Sequence, residues 1–83
     1  MKITARIKPH PIREIVIDTD YIRLDAALKL ADLVQSGGHA KVVITEEQVK
    51  VNGETCTMRG KKLREGDTAT FQGIDVVVKK RKE

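Results

Sequence analysis

The side chains best able to do chemistry in this sequence are cations set among glycines. Arg59-Gly60-Lys61-Lys62-Leu63-Arg64 crowds positive charge around one glycine and one leucine. Such a stretch can meet successive phosphates, because Gly60 allows close approach of the backbone while Leu63 fixes the loop to a core. A second arrangement lies earlier. Ser36 suits a helix cap, Gly37-Gly38 would let the chain turn sharply and leave the first helix amides uncovered, and Lys41 follows about one helical turn later. Those amides and Lys41 can share one anion, with the partial positive pole of the helix behind them. Arg23 is a further candidate contact. The closing run Lys79-Lys80-Arg81-Lys82 reads differently, as a flexible solvated tail, since no apolar periodicity anchors it.

Catalytic and metal chemistry find no comparable set, so no catalytic residue, metal or cofactor is expected. His10 sits between prolines and His39 beside a helix start, without ligands at metal spacing. Cys56 is the single cysteine, which excludes an internal disulfide framework, and no activating base marks it as a nucleophile. It reads as a buried thiol. Asp25 reads as a support for a helix corner rather than an acid. No apolar run approaches the length of a membrane span, and the amino terminus lacks a secretory pattern, so a cytoplasmic address and no membrane partner are expected.

The elements that must hold these groups follow from periodicity. With 83 residues, 40% hydrophobic and 34% charged, the chain is expected to form one domain over 1–83. Its net charge of +4 is unevenly distributed: Lys2, Arg6, Lys8 and Arg13 precede an acidic segment with Glu14, Asp18, Asp20, Asp25 and Asp32. Ile3, Ala5 and Ile7, then Ile15 and Ile17, alternate as short strands, separated by Lys8-Pro9-His10-Pro11, which cannot continue a central ladder. Leu24, Ala27, Leu28 and Ala31, reaching toward Val34, give a first helix, with Asp20 capping or preceding it. Ala40, Val43 and Ile44 give a second. Val49 and Val51, Asn52-Gly53, and Thr55 to Thr57 make a hairpin. The turn Arg64-Glu65-Gly66-Asp67 leads to a strand at 68–71, and Gln72-Gly73 reverses the chain into a last strand from Ile74 to Val78.

The order of these motifs resembles the RNA-binding domain named after the small-subunit ribosomal protein S-four. Arg23-Leu24-Asp25, Leu28, Ser36, Ala40-Lys41, Ile44, Val49, Val51-Asn52-Gly53 and Gly66-Asp67 carry the likeness. Leu28-Lys29-Leu30-Ala31, Val34 to Gly38, Val51 to Glu54 and Arg59 to Leu63 further resemble the small stand-alone bacterial proteins of the YaaA or YbcJ type. The resemblance spans 16–71, leaving 1–15 as an amino-terminal strand extension and 79–83 as the basic tail. Two departures stand out. Glu47 occupies the glycine position between the second helix and the next strand, and Gly37 and His39 fill the region where a basic residue precedes the helix-two alanine.

What the resemblance implies is an α+β fold with two short packed helices beside a small antiparallel curved sheet. It also implies noncatalytic binding of RNA through Arg23, Ser36, Gly37, Gly38, Lys41, Arg59, Lys61, Lys62 and Arg64. Asn52, Gly53, Gly66 and Asp67 are expected to act as turns that position the basic loop. Tyr21 and Phe71 are the only aromatics, too few for a platform that stacks successive bases, so a structured RNA is expected, ribosomal or linked to ribosome assembly or translation. A monomer is expected. The competing expectation is a protein-interaction adaptor that docks on a translation or replication complex through an edge strand or apolar patch.

Overall fold

The computed structural model describes residues 11–81. The elements run β1 (Ile12–Ile17), β2 (Ile22–Arg23), α1 (Leu24–Leu30), α2 (Gly37–Thr45), β3 (Val49–Val51), β4 (Glu54–Thr55), β5 (Lys62–Leu63), β6 (Thr68–Phe71) and β7 (Ile74–Lys80). The expected strand at Ile3 to Ile7 and the turn residues Lys8 to His10 lie outside the described residues.

Five strands form one sheet in the order β1-β7-β6-β3-β4, and β2 with β5 forms a separate ribbon. The antiparallel sheet expected from the sequence is present in β7-β6-β3-β4, whereas β1 adds a parallel edge with Ile15 opposite Val78. A parallel neighbour requires a long crossover, and the segment between β1 and β7 contains both helices and supplies it. Period-two alternation sends Ile15, Ile17, Val49, Val51, Ala69, Phe71, Val76 and Val78 to one face. Against that face pack Leu24, Ala27 and Leu28 of α1 and Ala40, Val43 and Ile44 of α2, the helical positions marked by their three-and-four spacing. This places the core between the sheet and the helix pair.

Both helices stop in the same way. At the end of α1, Asp32 N–H donates to Lys29 O and Leu33 N–H to Leu28 O, with Asp32 at φ 64°. At the end of α2, Glu47 N–H donates to Ile44 O and Gln48 N–H to Val43 O, with Glu47 at φ 64°. These paired bonds satisfy carbonyls that a helix end leaves open, and they need a left-handed residue that glycine adopts at least cost. Glu47 therefore takes up a left-handed backbone shape that glycine adopts most readily. The first helix also ends sooner than its apolar pattern suggests: Val34 is buried, but it lies beyond the Asp32 turn rather than on the helix.

The glycine pair is corrected by the same geometry. Gly37 and Gly38 lie inside α2 and neither has a positive φ, so the sharp change of direction falls at Asp32 and at the extended cap Ser36. At the carboxyl end, Lys79 and Lys80 belong to β7 opposite Val16 and Ile17, and Arg81 N–H donates to Ile17 O at 2.7 Å. The tail expected at 79–83 thus begins as strand, because β1 offers a ladder that sequence periodicity does not reveal. Cys56 is half-buried rather than buried, with its Sγ toward Met58 O at 3.7 Å, since β4 ends at Thr55.

Candidate nucleic-acid interface

The ribbon of β2 and β5 assembles the first part of the candidate site. Ile22 lies opposite Leu63 and Arg23 opposite Lys62. Directly opposed residues share a face, so the buried Leu63 anchors the ribbon while Arg23 and Lys62 stand together outside. Two cations so placed repel each other. Arg23 is offset by Asp25, whose Oδ2 lies 3.2 Å from Nη2. Lys62 Nζ lies 4.8 Å from the centre of the Tyr21 ring, and the Arg64 guanidinium lies 5.8 Å from it. The ring face attracts each cation by roughly 0.5–1 kcal/mol at an exposed position. Tyr21 thereby gathers positive charge that would otherwise disperse.

The basic loop before β5 is fixed by its backbone. Lys61 O accepts from Leu24 N–H at 2.8 Å and Arg59 O from Asp25 N–H at 3.1 Å. Ala26 N–H donates to Asp25 Oδ1 at 2.8 Å. The start of α1 is therefore closed by the loop, and Arg23 serves as its cap position in place of the expected Asp20. Asp20 instead pairs with Lys80 at 3.1 Å. Gly60 lies under the Arg23 guanidinium, where a Cβ would sit 3.7 Å from Nη2, so the loop and the arginine are in close register.

Turn residues hold the other end of β5. Asn52 and Gly53 have φ 51° and 89°, which lets Val51 pair with Glu54 across a two-residue turn. The Asn52 side chain accepts from Thr68 N–H at 3.0 Å and donates to Asp67 Oδ1 at 3.2 Å. Asp67 Oδ2 accepts from Arg64 N–H at 2.8 Å, and Gly66 at φ 92° completes the turn. The chain of bonds runs from the hairpin to the backbone of Arg64.

The start of α2 is open by contrast. Ser36 Oγ accepts from His39 N–H at 3.1 Å, and His39 Nδ1 accepts from Gln35 N–H at 3.3 Å. This leaves the Gly37 and Gly38 amides without a partner among the described residues. No atom lies within 4 Å of a Cβ built on Gly37, so its approach is unobstructed. Gly37 and Arg23 line one hollow of about 670 Å³, together with Ile22, Asp25, Ala26, Lys29 and Leu30. Lys41 is exposed one turn after Gly37 on the same helix face.

Arg23 thus joins the two arrangements read from the sequence, since it stands opposite Lys62 in the ribbon and lines the same hollow as Gly37. Lys61 falls elsewhere, lining a second hollow with the β3–β4 hairpin, Cys56 and Met58. Arg59 is exposed, and the structure records its carbonyl contact to α1. Tyr21 and Lys29 were missed as site residues. Tyr21 precedes Arg23 by two positions, and alternation along an extended segment puts both on one side, a signal present in the sequence. Among the described residues no group of three or more His, Cys, Asp or Glu side chains is placed to hold a metal ion. No described helix is long and apolar enough to cross a membrane.

Fold and site together define a small α+β domain with a two-helix corner beside a basic ribbon, and the S4 domain matches residues 15–79. The chain belongs to the S4 domain family, whose match extends beyond the 16–71 resemblance into β7. Over 60 residues it is 49% identical to the probable ribosome maturation protein RlbA of Bacillus subtilis (strain 168), covering 72% of this chain and 84% of that protein. Over 58 residues it is 40% identical to the putative RNA-binding protein YbcJ of Escherichia coli (strain K12), covering 70% and 83% respectively.

Proposed function

We propose that this protein is a noncatalytic RNA-binding domain that holds structured RNA against the face running from Tyr21, Lys62 and Arg64 through Arg23 to the start of α2. The carrying observation is that Arg23 and Lys62 oppose each other in a ribbon where Arg23 is paired with Asp25, while Lys62 and Arg64 are gathered by the Tyr21 ring and by no carboxylate among the described residues. Like charges held at this spacing oppose folding slightly, and a phosphate relieves them. Two aromatic residues do not make a stacking track for single strands, so shape and phosphate spacing select the target. The relatives named for ribosome maturation and RNA binding support a ribosomal RNA or an assembly particle as the partner.

A protein-docking reading has one observation in its favour. β1 stands at the sheet edge and exposes Ile12 and Val16 at 60% and 56%. Glu14 interrupts that strip and pairs with Lys79, so the patch is small and mixed. The test is the double charge reversal Lys41→Glu with Lys62→Glu, both exposed. Affinity for structured ribosomal RNA fragments is expected to fall on the order of 100-fold at fixed salt, with an unchanged melting temperature and a shallower salt dependence. Unchanged affinity sinks this assignment of the site.

A further inference from the structure

The hollow between the ribbon and the two helices has walls that phosphate contact alone does not explain. Ile22, Ala26 and Leu30 present an apolar surface, with Leu30 55% exposed, although the other leucines of its helix, Leu24 and Leu28, are fully buried. Arg23 and Lys29 stand at this surface, and Gly37, the first residue of α2, lines it from the other helix. Asp25 is the one carboxylate in the lining, held by Arg23 and by Ala26 N–H.

We infer that this hollow receives one unpaired nucleotide of the bound RNA, with its base on Ile22, Ala26 and Leu30 and its phosphate at the Gly37–Gly38 amides. The inference rests on the RNA-binding reading and adds the feature that the RNA must carry. A phosphate pushed onto the apolar wall would lose its hydration without a partner, whereas a base offers an apolar face of matching character. The sugar-phosphate edge then meets the amides, Lys29 and Lys41, which supply the complementary charge. At about 670 Å³ the hollow lies within the range of small-ligand sites, about 300–1,000 Å³. A paired helix keeps its bases stacked inside and cannot fill it, so a bulge or loop nucleotide is required. A purine offers this wall a larger apolar face than uracil does, and Asp25, which accepts hydrogen bonds only, can take the exocyclic amine of adenine.

The test compares a fully paired RNA hairpin with the same hairpin carrying a single bulged adenine or uracil, by fluorescence anisotropy at fixed salt. The protein is expected to bind the adenine bulge about tenfold more tightly than the paired form, and the uracil bulge less tightly than the adenine, differences that burial of an apolar base face on an aliphatic wall supplies. Ala26→Phe fills the hollow from an exposed helix position and is expected to erase the bulge preference while leaving affinity for the paired hairpin in place. Leu30→Ser gives the same readout through loss of the wall without adding charge, should Ala26→Phe fail to fold. Equal binding to paired and bulged RNA overturns the inference and leaves the RNA-binding reading standing. A bulge preference that survives both substitutions also overturns it, because the nucleotide then sits elsewhere. Binding to none of the hairpins sinks the RNA-binding reading, and the inference with it.

Discussion

Two basic runs that look alike in the sequence have opposite surroundings in the fold. Lys79 and Lys80 run along β7 beside β1, where Lys79 meets Glu14 at 4.0 Å and Lys80 meets Asp20 at 3.1 Å. Lys62 and Arg64 flank Tyr21 instead, and the ion pairs among the described residues include neither of them. Exposed ion pairs add little to stability, but they do cancel local potential. The first run is therefore charge already answered by the chain, whereas the second has no carboxylate partner among the described residues, which is why the proposed site is placed there. Density of cations along a sequence is a poor guide to a binding surface; the groups that fold against them decide it.

The sharpest way to break this contrast is to remove what holds the second run in place. Leu63 is fully buried behind Lys62 and pairs with Ile22, so Leu63→Ala is expected to destabilise the fold by about 3 kcal/mol, measured by urea denaturation. A loss below about 1 kcal/mol would mean that the ribbon is not anchored by its core contact. The next largest effect tests the contrast itself. Lys62→Ala with Arg64→Ala is expected to weaken binding to structured RNA on the order of 30-fold, roughly 2 kcal/mol, while Lys79→Ala with Lys80→Ala changes it by less than about threefold. Comparable losses from the two pairs would abolish the distinction. The smallest effect bears on the frame that both regions share. Glu47→Gly relieves a left-handed residue and is expected to raise stability by about 1 kcal/mol in thermal melts, leaving RNA affinity unchanged.

Local features of the fold were legible and distant pairings were not. Asn52-Gly53 and Gln72-Gly73 announce hairpin turns because few residues take positive φ, and all four do so. The Ser36 cap and the inward residues of both helices follow from side-chain chemistry within a few positions. The pairing of Ile22 with Leu63 involves two residues per strand and joins distant segments, so no periodicity marks it. The same applies to β1 against β7, which drew Lys79 and Lys80 out of the expected tail. Asp32 and Glu47 give no composition signal for their left-handed turns, since the helix-end hydrogen bonds impose the conformation on whatever residue stands there. Of the site, the cations and the glycine pair could be read directly. Their union through Arg23, and the part played by Tyr21, required the ribbon.

The most direct measurement is an amide chemical-shift titration of the labelled protein with a structured ribosomal RNA fragment. Shifts and broadening concentrated at Tyr21, Arg23, Gly37, Gly38, Lys62 and Arg64, with Glu14, Val77 and Lys79 quiet, are the predicted result. A response centred on Glu14, Val77 and Lys79 across the far face of the sheet would contradict the account.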